Sequence, residues 1–476
     1  MATTIHKKVK SVIAGPGAGK TTGLVKEIIG RLPELAPYPY RHMAVITYTN
    51  AATDDIKEKL NKDCKVPSNV FIGTIHSFLN KFILIPFGSV YGLIPSNVHF
   101  IDNVVVTKGN NNIQRIIQER AITTRVIEKG AIPYEAIENL SKKLIDDKRI
   151  RRLVAIRLQM IFIDEYQDAN TTQHHIFMEI QKEAKTALFT VGDPEQYIYG
   201  FRYKGKSKPV FNKIPILTTI DKGVVDRIEV NRRSSPTIVT FLNKFNTQLQ
   251  QRSAFVTVRC EKKSKIYFIN ETDLSNVIAK FDSICCDCGL SRKCNRFYLA
   301  YNGKKTVKQL QSLGIPLLAK DGRSPENALS EVMRLITGVV GKSMKNICEE
   351  KKMSVIEVRK FGMKVFRKIR SAPQISVDEL QDFISSLLGL AISKEHTMKD
   401  SIDKLIAFNN KPTESYKQCS TIHKAKGLEA HAVLVIAQTK AELLKWLETD
   451  KQKRCDHETD KCREGFVAFS RAKELL

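Results

Sequence analysis

Ser11-Val12-Ile13-Ala14-Gly15-Pro16-Gly17-Ala18-Gly19-Lys20-Thr21-Thr22 decides how this chain is read. A short apolar run enters a glycine-rich turn, and the turn opens a helical pattern, TTGLVKEIIGRL. That is the context a phosphate-binding loop requires. Glycines let backbone N–H groups converge on phosphate oxygens without Cβ obstruction. Lys20 is placed to reach β- and γ-phosphates and Thr21 to ligate Mg²⁺. Gly15, Pro16, Gly17, Ala18, Gly19 and Thr22 complete the expected nucleotide-binding set. The strict pattern has Gly five positions before Gly19, where this chain has Ala14.

Outward from that loop, a second apolar run, Ile161-Phe162-Ile163, ends in Asp164-Glu165-Tyr166-Gln167-Asp168. A strand ending in two acids is how a P-loop NTPase presents a Mg²⁺ carboxylate, here Asp164, and a group that polarises the attacking water, here Glu165. A third strand end, Val191-Gly192-Asp193-Pro194-Glu195-Gln196, is followed by Tyr197, Tyr199 and Phe201. Gln196 is a candidate sensor of the γ-phosphate. The aromatics either stack on bases, at about 1–3 kcal/mol each, or fill the core.

Near-continuous apolar strands alternating with helical patterns place the N-terminal third in the α/β class, with a parallel sheet covered on both faces. Residues 81–158 differ: amphipathic patterns such as IQRIIQERAITTRVIE mark a helical insertion. The α/β rhythm resumes after 225, with strands expected at Arg296–Ala300 and Ala432–Ile436. A second helical block occupies 326–415, where Ser376 and Glu379 form a capping-box pattern. Within it, 359–370 is a basic helical stretch that either binds duplex backbone or presents a solvated face.

Composition narrows the classes further. The chain has 476 residues, of which 42% are hydrophobic and 27% charged, as in an ordinary folded protein rather than a disordered one. Lys+Arg outnumber Asp+Glu by 77 to 50, a net charge of +27 that suits a polyanionic partner. No apolar run is long enough for a membrane helix, and MATTIHKKVK has no apolar secretory core, so a cytoplasmic protein is expected. Ten cysteines are too thinly spread for a disulfide framework. Cys285-x-x-Cys288, with Cys286 and Cys294 nearby, has metal-ligand spacing but lacks a second well-spaced pair.

The order of the segments resembles the UvrD/Rep-like branch of superfamily 1 DNA helicases. The residues carrying the resemblance are AGPGAGKT (14–21), AVITYTNAA (44–52), GTIHSF (73–78), FIDEYQD (162–168), VGDPEQYIYGFR (191–202), NRRS (231–234), TIHKAKGLE (421–429) and VAFSRA (467–472). Size and motif wording are most similar to the helicase-like component of the Gabija anti-phage defence system.

The resemblance implies two RecA-like P-loop NTPase cores, at 1–80 plus 159–225 and at 226–325 plus 416–476. Each carries one of the helical insertions, and ATP with Mg²⁺ lies between them. It assigns Arg233 and Arg471 to the γ-phosphate from across the cleft, Glu429 to the nucleotide sugar, and Gly427 to a close backbone approach. Thr47, Tyr48, Asn50, Thr74, His76, Tyr199, Phe201 and His423 line the DNA track; for the two histidines a local hydrogen bond is the alternative.

The implied activity is ATP-driven 3′→5′ movement on single-stranded or partly duplex DNA, within a defence complex that includes a nuclease. The rival reading is a nucleotide- and DNA-end-sensing regulatory subunit of that nuclease, with little unwinding. Three departures stand out: no glutamine precedes the phosphate loop, Arg232 replaces a tyrosine that stacks on adenine, and the chain ends just after SRAKELL, where relatives continue. That end leaves truncation or a minimal second core as alternatives.

Overall fold

A computed structural model describes residues 9–35, 37–101, 112–183, 186–200, 211–255, 265–290, 294–318, 325–342, 344–372, 375–390, 416–455 and 460–476. Fourteen strands are described: β1 (Val9–Ala14), β2 (His42–Thr47), β3 (Val70–Thr74), β4 (His99–Ile101), β5 (Ala131–Pro133), β6 (Leu158–Ile163), β7 (Ala187–Gly192), β8 (Val224–Ile228), β9 (Val230–Asn231), β10 (Arg252–Ser253), β11 (Arg296–Ala300), β12 (Lys417–Thr421), β13 (Ala430–Ile436) and β14 (Ala472–Leu475). The molecule is α/β, as expected.

Six strands form the first sheet, in the order β3-β2-β6-β7-β1-β8, and every neighbouring pair is parallel. Their Val-, Ile- and Phe-rich runs are buried because helices cover both faces. One face packs Val12, Leu24, Ile28, Met43, Val45 and Phe162; the other packs Ile13, Ala44, Ile46, Phe78, Ile161 and Ile163. β8 adds residues 226–228 to this sheet, so it runs past the expected boundary at 225.

The second sheet has the order β12-β11-β13-β14 and is likewise parallel throughout. Both strands read from the sequence, at 296–300 and 432–436, lie in it. The helix Asp460–Phe469 packs Phe466 and Val467 against the same apolar cluster as Ile422, Val433 and Trp446.

The two helical blocks are also present. Helices Asn112–Glu128, Tyr134–Asp146 and Lys148–Arg157 precede β6. Helices Pro325–Val340, Met344–Lys351, Val355–Ser371 and Val377–Leu388 enclose a core of their own around Val332, Ile336, Val358, Val365, Ile369, Leu380 and Ile384. Ser376 and Glu379 make the capping box read from the sequence. On Val355–Ser371, Val358, Val365 and Ile369 face inward while Arg359, Lys360, Lys364, Arg367 and Lys368 are exposed.

The helix Leu274–Asp287 carries Cys285 and Cys286, and Cys285 and Cys288 are buried among Phe281, Leu290 and Tyr298. Burial pushes the Cys285 thiol up to about 12. Among the described residues, no group of three His, Cys, Asp or Glu is arranged to hold a metal ion, and no helix is long and apolar enough to cross a membrane.

Candidate active site

Three adjacent strands of the first sheet, β6, β7 and β1, end on one edge. β1 runs into the glycine loop and then the helix Lys20–Leu35; β6 delivers Asp164 and Glu165; β7 delivers Asp193. Gly17 and Gly19 adopt φ of 67° and 75°, a region that L-residues with a Cβ rarely occupy. A Cβ on Gly19 would meet nothing within 4 Å, so the space over the loop is open. Lys20 Nζ lies 3.4 Å from the Ala14 carbonyl and 3.5 Å from that of Gly15. Thr22 is exposed at the start of the helix.

The acids form a linked set. Thr21 Oγ1 donates to Asp164 Oδ2 at 3.2 Å, and the Glu165 N–H donates to Asp164 Oδ1 at 2.9 Å. Glu165 sits at φ 49°, an unusual conformation for a side chain of its size, which sets it apart at the strand end. Gln167 ties the two strand ends together: its Nε2 donates to Glu165 Oε2 at 2.5 Å, and its Oε1 accepts the Asp193 N–H at 3.0 Å. Burial, then the neighbouring Glu165 charge, pushes Asp164 up to about 7. Burial also raises Asp193, to about 6. Burial works against ionisation of Glu165 too, but Lys20, Lys426, Gln167 and Arg471 together hold it well below the usual range.

The donor set fits a hydrated Mg²⁺ ion: a hydroxyl and a carboxylate within hydrogen-bond distance of each other, in a buried site that gathers Asp164, Glu165 and Asp193. It also fits a polyphosphate, given the open glycine loop, the lysine and a buried Asn231 Nδ2 that has no partner.

The second half of the chain closes over this edge. Arg233 places its Cβ 2.6 Å from where a Gly17 Cβ would stand. Its Nε donates to Glu429 Oε2 at 2.6 Å and its Nη1 to the Ser470 carbonyl at 3.1 Å. Glu429 also pairs with Lys473 at 2.5 Å, so both of its oxygens are engaged by cations. Gly427, at φ 86°, has open space on its Cβ side.

Arg471, 1% exposed, donates to Gln196 Oε1 at 3.1 Å, while Gln196 Nε2 donates to Asp193 Oδ2 at 2.7 Å. Burial, then the nearby Arg233 charge, lowers the Arg471 guanidinium to about 9. Sequence reasoning missed Lys426, which is 8% exposed on its side chain: Nζ reaches both oxygens of Asp168 at 2.7 and 2.6 Å and the Gln196 carbonyl at 2.8 Å. Both residues stand in the quoted segments KAKGLE and DEYQD, yet nothing local pairs positions so far apart.

The residues expected on a DNA track divide. Asn50 is exposed at the start of a helix that follows β2, and Thr74 caps the helix that follows β3. Tyr48 is partly buried against the first core. Thr47 is a correction: it is 1% exposed, its hydroxyl donates to the Thr49 carbonyl at 3.0 Å and meets Thr53 Oγ1 at 2.7 Å, so it stabilises the turn rather than lining a surface.

His76 faces Glu138 at 3.4 Å and Tyr134 edge-on. His423 Nε2 donates to the Ile198 carbonyl at 3.2 Å. Tyr199 is half-buried, with Lys426 Nζ 5.1 Å from its ring centre and His423 at 6.2 Å. Tyr197 belongs to the core. Phe201 lies outside the described residues.

The chain is similar in sequence to known proteins. An AAA-domain family matches residues 1–202. GajB, a Gabija protein of Bacillus cereus (strain VD045), is 24% identical over 98% of this chain and 91% of its own length. The helicase Rep of Escherichia coli (strain K12) is 23% identical over 49% of this chain. These similarities agree with the resemblance to UvrD/Rep-like superfamily 1 helicases. The chain spans 40% of the length of that Rep protein, and 8% of the RecBCD subunit RecB of Buchnera aphidicola subsp. Schizaphis graminum, to which it is 40% identical over 102 residues.

Proposed function

We propose that the chain is an ATP-driven motor that moves 3′→5′ on single-stranded DNA and serves an anti-phage defence complex with a GajA-like nuclease. The two sheets and their helical blocks then correspond to two motor cores with insertions: a first at 1–80 plus 159–225, extended by β8 to 228, a second in the rest of 226–325 plus 416–476, and insertions at 81–158 and 326–415. The observation that carries the reading is the junction itself. Lys20 acts on Glu165 and Asp193 from one side, while Arg471 acts on the same two carboxylates from the other. A triphosphate there would be gripped by both halves.

The roles follow from the chemistry. Thr21 and Asp164 would hold a Mg²⁺ ion, which would neutralise charge on the phosphates when bound. Lys20 binds the terminal phosphates. Glu165, kept ionised by its cations, accepts a hydrogen bond from the attacking water and orients it. Arg233 and Arg471 stabilise the charge that develops on the transferred phosphoryl group. Gln196 touches Arg471 and Asp193, so a change at the phosphate is felt on both sides of the junction. The net charge of +27 and the half-buried Tyr199 suit a DNA path held by phosphate contacts and stacking.

ATP hydrolysis with and without single-stranded DNA tests the reading. Wild type is stimulated by DNA; Lys20→Ala and Arg471→Ala each lose on the order of 10³-fold or more. Unchanged turnover in Lys20→Ala would remove the nucleotide site from this loop. DNA-stimulated hydrolysis without displacement of a labelled strand would favour the regulatory-subunit reading.

A further inference from the structure

The second half of the chain also holds the back of the phosphate loop. The Pro16 carbonyl accepts from Gln251 Nε2 at 3.2 Å, the Gly17 carbonyl from the Arg232 backbone N–H at 2.8 Å, and the Ala18 carbonyl from Arg232 Nη1 at 3.3 Å. Three successive carbonyls are thus held from across the junction. Each shares a planar trans peptide with the N–H of the following residue, which points the opposite way. The peptides held are therefore those that carry the N–H groups of Gly17, Ala18 and Gly19.

The contact is built rather than incidental. A Cβ on Gly15 would stand 2.5 Å from Gln251 Oε1 and 2.7 Å from Nε2, so this glycine makes room for the amide. Gln251 is 7% exposed. Its backbone is gripped on both sides by the Asn243 amide: Asn243 Oδ1 accepts the Gln251 N–H at 2.9 Å, and Nδ2 donates to the Gln251 carbonyl at 2.7 Å. Asn243 ends the helix Pro236–Asn243, so the amide is mounted on regular structure.

We propose that Gln251 and Arg232 are positioning residues for the phosphate loop. They clamp its carbonyl side, so that its N–H side is preset and polarised for phosphate oxygens. Separation of the halves releases the clamp and loosens the loop around product. This rests on the loop being the nucleotide site, as proposed above. Arg232 then serves the loop backbone.

The test uses the full chain and ADP as probe. Gln251→Met keeps the bulk and removes the donor. Its dissociation constant for ADP, by titration calorimetry, should rise about three- to tenfold, the worth of one such bond, and KM for ATP should rise by more than kcat falls. Gln251→Glu adds a readout that a filler role would not move. Above neutral pH its carboxylate faces the Pro16 carbonyl and ADP binding weakens further. At pH 5.5 a buried carboxyl is protonated, donates its O–H, and recovers affinity relative to wild type at the same pH. Wild-type ADP affinity in Gln251→Met, or an equal deficit of Gln251→Glu at both pH values, overturns the clamp. Failure of wild type itself to bind ADP overturns the nucleotide site instead.

Discussion

His174 shows how a residue outside the chemistry supports it. Its Nδ1 meets the Tyr166 hydroxyl at 2.9 Å and its Nε2 the Thr218 hydroxyl at 3.1 Å, which fixes Tyr166 in the turn that follows Asp164 and Glu165. Burial, then the charges of Lys222 and His175, lower this imidazole to about 4. The unfolded chain therefore binds a proton between about pH 6.5 and 4 that the folded chain refuses. Stability from this group is present above about 6.5 and is lost as pH falls towards 4, roughly 1–3 kcal/mol in all. Chemical denaturation at pH 7 and pH 5 should show the loss in wild type and a flatter dependence in His174→Gln. An equal pH dependence in both proteins would assign the effect elsewhere.

Legibility also divides residue by residue. Lys20, Asp164 and Glu165 were readable because the loop and the strand end are each contiguous patterns. Lys426 and Asp168 were not, since they are 258 positions apart and pair only in the folded chain. Thr47 was expected on a surface but is buried, because its strand is covered on both faces from Met43 to Thr47.

At the scale of elements, the helix Asp460–Phe469 sets where Arg471 points. Gly465 lets it lie against Trp446: a Cβ there would stand 2.5 Å from Trp446 Cβ and 2.9 Å from its Cα. Neither atom is the far end of a flexible side chain, so the helix must move. Gly465→Val is expected to cost about 2 kcal/mol or more and to lower ATPase activity through Arg471. Gly30, on the exposed side of the helix Lys20–Leu35, meets nothing within 4 Å. Gly30→Ala should stabilise by about 0.5–1 kcal/mol with activity retained. Thermal denaturation and turnover of the two variants check both. Strand and helix positions were legible from apolar periodicity and caps, as at Ser376. The last residues of the first sheet were not, because β8 leads directly into β9 with only Glu229 between them.

Across the whole molecule, the halves are joined by a buried ion cluster that no local pattern announces. Glu195, 0% exposed beside Gln196, pairs with Arg454 at 2.8 Å and lies 3.9 Å from Arg463, both arginines being buried as well. Its other oxygen accepts from the Thr247 N–H at 3.0 Å and the Thr247 hydroxyl at 2.5 Å. Arg463 stacks over Phe211 and Arg454 over Phe245. Removing the anion takes the carboxylate at 2.8 Å away from buried Arg454, while Arg463 keeps Asp460 at 3.6 Å. Glu195→Leu should therefore lose about 3–5 kcal/mol of unfolding free energy in a urea titration, far more than a surface pair is worth. A loss below about 1 kcal/mol would mean the cluster carries no load.

The same cluster orders events while the protein is being made. Glu195 leaves the ribosome early, but Arg454 follows 259 residues later. Until then the carboxylate must stay hydrated, and the turn beside Gln196 cannot settle into its final burial. The nascent first half is thus held immature until most of the polypeptide has emerged. A prematurely terminated product would present an unfinished surface to proteases instead of a closed junction.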